Sequence, residues 1–337
     1  MTRLRRHAEV KVQFKSVLRA DLAGYVRLKR SLGFDLRDQI YTLGKFDRLL
    51  TREMSTAGPI TRAIVESFLR SLNGLSPLTR KRQLSIIRQF CLHLRQGEPV
   101  TFIPGRDLEP GRAAPRAPHI YSAEEIQRLL RGALDFHVRP RGSLRPKTYH
   151  CLFALLYAAG LRISEALAFN LDDLDVRQQL LHVRKTKFYK ARLVPLAAST
   201  VAGLKRYLVL RAEKGHSTAP SAPFFVNDWG QRIPYDTAQP TFRRISRKCG
   251  LRGPAGTRGP RLHDLRHSFA VHRLLAWYRE GKNVQALLPA LATYLGHAHI
   301  SGTQVYLHAT EELLAVASDR YRQHFDLDHQ PQEGVTP

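Results

Sequence analysis

The sequence predicts a mainly α-helical protein with one small β-hairpin, organised as two domains. Apolar residues recur at the three- to four-residue spacing of amphipathic helices through most of the 337-residue chain. Strand-like patterning is clear only between Leu180 and Leu196. A segment with four prolines and two glycines, residues 104–118, separates two helical regions and cannot be a helix interior or a central strand. We therefore expect an N-terminal helical domain over 1–103, a linker over 104–118, a second domain over 119–325 and a flexible tail over 326–337.

The first domain is predicted to contain four helices. Three of them follow from short apolar stripes at helical spacing, and the fourth runs from Pro77 to about Leu94 with a basic face opposite its stripe. That basic face is either a solvated surface or a binding surface. The four stripes are Val17, Leu18, Leu22, Tyr25 and Leu28; Ile40, Leu43, Phe46, Leu49 and Leu50; Ile64, Val65, Phe68, Leu69 and Leu72; and Leu78, Leu84, Ile87, Phe90, Cys91 and Leu94. The basic face includes Arg80, Lys81, Arg82, Arg88 and Arg95.

The second domain is predicted to begin with a capped helix and to contain the hairpin. Ser122, with Glu125 three residues later, has the pattern of a helix start. The segment from Tyr149 to Ala159 is apolar nearly all round, which indicates a buried helix ending at Gly160. The hairpin pairs 180–183 with 192–196 and has Lys185, Lys187 and Lys190 at its tip. Helices follow over Ala197–Leu210, Thr237–Cys249, Asp264–Tyr278, Val284–Leu295 and Glu311–Phe325.

The charge indicates a polyanionic partner. The chain has 54 Lys and Arg against 28 Asp and Glu, a net charge of +26, and nucleic acid is the usual partner of such a chain. The alternative is a general basic bias from a GC-rich coding sequence. No apolar run approaches the roughly 20 residues of a membrane span, and no secretory signal opens the sequence. Three widely spaced cysteines without a CxxC pair favour reduced thiols in a cytosolic compartment.

Two sets of residues could bind an anion. Arg162 and Glu165 directly follow Gly160, so Arg162 could bind a phosphate or simply pair with Glu165. His263 and Arg266 lie three residues apart behind a Gly-rich basic loop and would share one face of a helix. The rival interpretation is a zinc site, because His263 and His267 have i, i+4 spacing, and further ligands could come from His272, His297 and His299. Against it, Asp264 stands where a zincin has Glu, and Arg266 would place a fixed positive charge beside the ion.

Two further motifs lie near the C-terminus. His297 follows Leu295 and Gly296, and Tyr306 ends the segment Thr303-Gln-Val-Tyr. A lone tyrosine near a C-terminal helix is usually a core residue with its hydroxyl satisfied. The order of all the motifs changes that interpretation. Together they resemble the tyrosine recombinases of the phage-integrase family: the A-G-L-R-x-S-E motif is present as 159–165, the H-x-L-R-H box as 263–267, the L-G-H box as 295–297, and the nucleophile segment as 303–306. The resemblance covers 122–325 in detail and 17–95 only in kind.

The resemblance implies a chemistry for the site. Tyr306 would attack a scissile DNA phosphate, giving a 3′-phosphotyrosine and a free 5′-hydroxyl, with no cofactor and no metal. Arg162 and Arg266 would neutralise the phosphate oxygens. A lysine of the hairpin would protonate the leaving oxygen; counting back from Arg192 points to Lys187, with Lys185 and Lys190 left open.

The remaining residues would assist. The resemblance implies acid–base work for His263 at the phosphate or the tyrosine, since its ordinary pKa near 6.5 suits both directions. His297 would donate a hydrogen bond to a phosphate oxygen. Glu165 is better interpreted as orienting Arg162 or His263, because a carboxylate facing the phosphate would repel it.

The implied partner is double-stranded DNA, held by a two-domain clamp. Family members act as dimers or tetramers on DNA, and 311–325 is the segment for exchange between protomers, with packing within its own chain as the alternative. Partner recombinases or accessory proteins are possible, and the expected location is the cytoplasm, on the nucleoid. We expect site-specific recombination, for integration or transposition of a mobile element. The alternatives are type IB topoisomerase-like DNA relaxation, an inactive DNA-binding member and, third, a zinc hydrolase.

Overall fold

A computed structural model describes residues 13–34, 36–109, 111, 117–136, 142–184, 191–297, 299–308, 314–316 and 318–319. The chain divides into two compact units, Met1–Arg116 and Ala117–Pro337. Both units are mainly helical, and the described strands form one small sheet in the second unit. The predicted fold class is confirmed.

The first unit packs four helices around one core. Thr61 and Ser76 begin the third and fourth helices, since their side chains accept hydrogen bonds from backbone N–H groups three residues on. Aromatic rings meet edge-on inside, with Phe46 and Phe68 5.2 Å apart between centroids. The helices are α1 (Arg19–Ser31), α2 (Arg37–Glu53), α3 (Arg62–Arg70) and α4 (Pro77–Leu94), and a 3-10 turn follows at Arg106–Leu108.

Several residues of this unit depart from the prediction. Leu28 and Leu78, assigned to the buried stripes, are 45% and 72% exposed, and each lies near an end of its helix. Arg80 is only partly exposed although it was predicted on the exposed basic face, and the same is true of Arg88. The guanidinium of Arg88 donates to the carbonyls of Pro104 (2.6 Å) and Gly105 (2.8 Å), so it binds the chain that leaves the helix.

The second unit is built around α6, which is buried on nearly all sides as predicted. Its side chains contact α5, α8 and α10, and Phe153 meets Phe242 of α9 edge-on at 5.5 Å. The predicted capping box at Ser122 and Glu125 is present in both directions. The helices are α5 (Ala123–Leu134), α6 (Arg145–Ala158), α7 (Ile163–Ala168), α8 (Ala198–Glu213), α9 (Tyr235–Lys248), α10 (Asp264–Arg279), α11 (Val284–Leu295) and α12 (Ser301–Gln304), followed by a 3-10 helix at Val305–His308.

The predicted hairpin is part of a three-stranded antiparallel sheet in the order β1-β2-β3. Leu181 pairs with Val194 and Val183 with Arg192. Alternation along the strands buries Leu181, Val183 and Val194 against the core. The short first strand was not predicted. The strands are β1 (Leu174–Asp175), β2 (Leu180–Val183) and β3 (Arg192–Pro195).

A separate apolar cluster packs α10 and α11 against the C-terminal 3-10 helix. It contains Val271, Leu274, Leu288 and Leu295 together with Tyr306, which is 3% exposed. This cluster holds the tyrosine against α10. In the parts of the chain that the structure describes, no helix is long and apolar enough to cross a membrane.

Candidate active site

Arg162 lies at the turn between α6 and α7, as the N-cap of α7. Gly160 makes that turn with φ +56°, a left-handed conformation that favours glycine. Glu165, one turn into α7, accepts hydrogen bonds from the backbone N–H of Arg162 (3.0 Å) and from its Nη1 (2.8 Å). Nη2 of Arg162 donates to the carbonyl of Gly296 at 2.8 Å. Arg162 is therefore held by both α7 and the end of α11.

Glu165 also binds a second arginine, Arg192, at the start of β3. Nη1 and Nη2 of Arg192 donate to the two carboxylate oxygens at 3.0 and 2.9 Å, and its Nε donates to the carbonyl of Tyr294 at 2.9 Å. Burial alone would raise the pKa of Glu165, but the hydrogen bonds and charge of Arg192, aided by Arg162, hold it below the ordinary value. Arg192 thereby ties the hairpin to the residues that orient Arg162.

Replacing Arg192 by Ala is expected to destabilise the fold by about 3–5 kcal/mol at pH 7, because it leaves the buried charge of Glu165 half compensated. Since the pKa of Glu165 is depressed in the folded state, its contribution is present above its ordinary pKa of 4.5 and is lost as pH falls through the folded value. The difference in the free energy of unfolding between Arg192→Ala and wild type should therefore become smaller in acid. Urea unfolding at pH 7 and pH 3.5 measures this. Lys282→Ala, which breaks an exposed pair with Glu280, should cost less than about 1 kcal/mol.

Arg266 is buried at the start of α10, 1% exposed. Nη1 and Nη2 donate to the carbonyls of Gly160 (2.8 Å) and Leu295 (2.7 Å). Burial, reinforced by the charge of Arg162, lowers its pKa to about 10, so the group remains a cation at neutral pH. The start of α10 is fixed by Asp264, whose carboxylate accepts from the backbone and side chain of Arg261. The structure brings both predicted arginines to one place, because both bind the end of α11, Arg162 at Gly296 and Arg266 at Leu295.

Gly160→Ala is expected to damage both stability and the arginine site. An added Cβ would overlap the ring of Phe269 and lie 2.9 Å from Leu295, and the left-handed backbone disfavours any side chain. Together these effects should cost about 2–4 kcal/mol. The displaced Gly160 carbonyl would release one bond of Arg266. Gly250→Ala is the matched control: Gly250 has φ +71° but open space around it, so only the backbone cost of about 1 kcal/mol should remain. Thermal and urea unfolding of both variants test this.

Tyr306 turns its hydroxyl to α10. The hydroxyl lies 3.0 Å from Nδ1 of His267, and the two rings are 5.4 Å apart. The ring of His263 lies edge-on to that of His267 at 4.6 Å. His297 follows the left-handed Gly296 that ends α11; its ring is 6.2 Å from that of Tyr306, and its Nδ1 is 2.7 Å from Oγ1 of Thr303. The structure therefore groups His263, His297 and Tyr306 as the sequence predicted, with His267 against the hydroxyl.

The electrostatics favour neutral imidazoles. His263 is exposed and His297 is half-buried. Desolvation by the surrounding protein, together with the neighbouring charges and imidazoles, lowers the pKa of both to about 4. Burial also lowers the pKa of His267 and raises that of the Tyr306 phenol, an increase that the charges of Arg266 and Arg162 oppose. At neutral pH the site thus combines two cations with uncharged histidines and a protonated phenol.

Several of the residues singled out in the sequence lie outside the described residues. One rival interpretation, a zinc site, is not supported by the positions of the described side chains. Lys185, Lys187 and Lys190 lie outside the described residues, as does most of 311–325 and all of the tail 326–337. The rival zinc site lacks a ligand set: within the described ranges, no group of three or more His, Cys, Asp or Glu side chains is placed to hold a metal ion. Sequence reasoning did not assign a role to His267 beyond that rival site, and it used Arg192 only to locate the hairpin.

The second unit, helical with one small sheet, thus combines two arginines with a buried tyrosine hydroxyl, an arrangement suited to an enzyme that moves a phosphoryl group through a tyrosine. The model of the phage integrase family matches residues 122–312, more than half of the chain. The chain belongs to this family of tyrosine recombinases, which cut and rejoin DNA, and the resemblance found in the sequence is confirmed.

Individual proteins of similar sequence or fold are also named as recombinases or integrases. The chain is 38% identical over 312 residues to y4rB of Sinorhizobium fredii (strain NBRC 101917 / NGR234), a protein named as an inferred integrase/recombinase; the match covers 92% of this chain and 99% of y4rB. It is 30% identical over 275 residues to the tyrosine recombinase XerD of Bifidobacterium longum (strain NCC 2705), and the match covers 80% of this chain and 84% of XerD. Its fold is similar to that of the Tn1549 transposon integrase in complex with transposon right end DNA, with a TM-score of 0.64 and 17% sequence identity. The match covers 89% of this chain and 98% of the integrase chain.

Proposed function

We propose that this protein is a site-specific DNA recombinase in which Tyr306 attacks a scissile phosphate and becomes linked to the 3′ end. The observation that carries the proposal is the position of Tyr306, which is 3% exposed, with its hydroxyl 3.0 Å from Nδ1 of His267 and its phenol within reach of the charges of Arg266 and Arg162. A phenol oxygen conserves the energy of the phosphodiester in the covalent intermediate. The freed 5′-hydroxyl can then attack the phosphotyrosine of a partner strand.

The arginine pair would bind the non-bridging oxygens of that phosphate. A guanidinium has five N–H donors, and the bonds to protein oxygens described above use two of them in each arginine. Those bonds orient the two groups before DNA arrives, so little reorganisation is needed as negative charge develops. Glu165 is a positioning residue here, because both of its oxygens face arginines.

The remaining proposed roles concern proton transfer and hydrogen bonding to the phosphate. Lys187 would donate a proton to the leaving 5′-oxygen, as the resemblance implies, and Lys185 and Lys190 are the alternatives. His263 would serve acid–base exchange at the phosphate, and His297 would donate a hydrogen bond to one of its oxygens. Their neutral state at pH 7 leaves each imidazole both a donor and an acceptor.

The net charge and the similar proteins support a proposal for the biological role. A net charge of +26 suits a helical unit and a catalytic unit that clamp duplex DNA, with affinity that falls steeply with salt. Similar folds include the Tn1549 transposon integrase with transposon DNA and a lambda integrase dimer bound to a core site. We therefore infer integration or transposition of a mobile element by dimers or tetramers on DNA, with exchange of 311–325 between protomers and with accessory proteins or partner recombinases, in the cytoplasm on the nucleoid.

The test uses nicked duplexes made from the genomic sequences that flank the gene. A nick beside the scissile phosphate releases a short strand after cleavage and traps the covalent complex. In EDTA, wild-type protein should form an adduct that survives denaturation on one such duplex. Tight DNA binding without an adduct on any flanking duplex would overturn the proposed function, and relaxation of any supercoiled plasmid regardless of sequence would assign a topoisomerase instead.

A further inference from the structure

We propose that His267 is a catalytic residue whose Nδ1 takes the proton of the Tyr306 hydroxyl as the phenol oxygen attacks phosphorus. The proposal rests on the proposed function, since it assigns the base for that reaction. It concerns the second histidine of the 263–267 box, a residue to which the implied chemistry gave no role.

The contact between the two residues is built into the core. His267 lies on α10, one turn after His263, and Tyr306 lies 39 residues later on the 3-10 helix that packs against α10. The apolar cluster of Val271, Leu274 and Leu295 holds that 3-10 helix in place. Because Tyr306 is 3% exposed, its hydroxyl cannot exchange this partner for bulk water without moving the helix.

The other groups near the phenol are poorer bases. Arg266 has donors only and cannot accept a proton at neutral pH. Nδ1 of His297 is already paired with the Thr303 hydroxyl. The ring of His263 lies 4.6 Å from that of His267, and among the hydrogen bonds of the described residues none joins His263 to the phenol. Among the described residues, His267 is the one imidazole whose nitrogen is hydrogen-bonded to the Tyr306 hydroxyl.

The charge state of His267 is suited to accepting the proton. Its Nδ1 is an acceptor when the hydrogen is on Nε2 and the ring is neutral. Burial lowers its pKa, and Arg261 and Arg266 act in the same direction against the carboxylate of Asp264. His263 and His297 also face this cluster, and their own lowered pKa values keep them uncharged at pH 7.

The proton balance of the step is complete. The bond from the phenol oxygen to phosphorus forms, the bond from phosphorus to the 5′-oxygen breaks, and the phenol proton passes to Nδ1, giving an imidazolium. The 5′-oxygen leaves with a proton from Lys187 in the proposed assignment. Rejoining reverses both transfers, so that the imidazolium returns its proton to the phenol.

The test separates proton transfer from positioning. His267→Asn places an amide oxygen near the position of Nδ1, so it can hold the hydroxyl but cannot take its proton. His267→Phe keeps the ring volume without an acceptor. Single-turnover cleavage of the nicked duplex should fall about 10²–10⁴-fold in both variants. The control is His272→Asn, which removes another histidine of α10 bonded to a tyrosine, Tyr157 at 2.8 Å; it should cleave within threefold of wild type.

A sulfur substrate adds a readout that a structural role would not move. A 5′-bridging phosphorothiolate has a leaving group that needs no protonation, so it should restore cleavage by Lys187→Ala but not by His267→Phe. Wild-type rates in His267→Phe, or near-wild-type rates in His267→Asn, would overturn the proposal. Rescue of His267→Phe by the thiolate would also overturn it. Failure of wild type itself to form an adduct would refute the proposed function instead, and matched melting temperatures and DNA affinity would exclude misfolding as the cause of a loss.

Discussion

Tyr306→Phe is expected to bind DNA as tightly as wild type and to form no covalent adduct. The phenylalanine ring fills the same space in the cluster of α10, α11 and the C-terminal 3-10 helix, so the packing is retained. The change removes one oxygen, the proposed nucleophile, and with it the hydrogen bond to His267. Leaving Nδ1 of His267 without that partner should cost about 1–3 kcal/mol of stability.

The measurement for this variant is a denaturing gel of the nicked-duplex reaction, run beside an equilibrium binding assay. Cleavage should be undetectable while the dissociation constant stays within a few-fold of wild type. An adduct of normal yield with Tyr306→Phe would assign the nucleophile to another residue and would contradict the account of this site.

Arg266→Ala is expected to have the second-largest effect, because it removes a buried cation and two structural hydrogen bonds at once. Loss of the charge beside the phosphate should slow cleavage by at least about 10²–10³-fold. The carbonyls of Gly160 and Leu295 would lose their partner, which should cost about 1–3 kcal/mol of stability for each one left unsatisfied. Both effects have the same structural origin.

Comparison with Arg266→Lys separates the two effects. A lysine supplies charge but cannot bridge the two carbonyls in the geometry of a planar guanidinium, so stability should recover less than the cleavage rate. Arg273→Ala removes an exposed arginine of the same helix and should leave both quantities close to wild type. Urea unfolding measures the stability of each variant, and single-turnover kinetics measure its cleavage rate. An Arg266→Ala protein that cleaves at the wild-type rate would remove Arg266 from the proposed mechanism.

Most of the scaffold could be predicted because it depends on local signals. The buried helix ending at Gly160 shows in its continuous apolar composition, and α11 occupies the predicted residues Val284–Leu295, bounded by an Asn cap and a left-handed glycine. The hairpin strands also follow from alternation. Exposure near helix ends was less predictable: Leu78 fits the stripe of its helix, but as the second residue of that helix it is 72% exposed.

The arrangement of the site could be predicted only in part, because its decisive contacts join distant residues. Glu165 meets Arg192 across 27 residues, and a charged residue at the start of a strand gives no signal of its partner. The spacing of His263 and His267 indicated a shared helix face but not that His267 would point to a tyrosine 39 residues further on. Tyr306 has the buried, hydrogen-bonded character of a core tyrosine, and only the order of the motifs indicated a different role.

The same ambiguity applies to the positive charge. Composition predicts a polyanionic partner without locating the contact surface, and Arg88 shows that an arginine on a predicted basic face can instead bind its own chain. The two arginines of the site are likewise held by protein oxygens. In the proposed mechanism their catalytic value lies in this fixed orientation rather than in the net charge of the chain.

Mapping the residue that carries the DNA is the most direct test of the central claim. The adduct formed in EDTA would be digested with protease and nuclease, and the nucleotide-linked peptide would be sequenced by mass spectrometry. The account predicts a single linkage, between the Tyr306 oxygen and a 3′-phosphate, with a free 5′-hydroxyl on the released strand. Linkage to another residue, such as the neighbouring Tyr294, or to a 5′-phosphate, would contradict it.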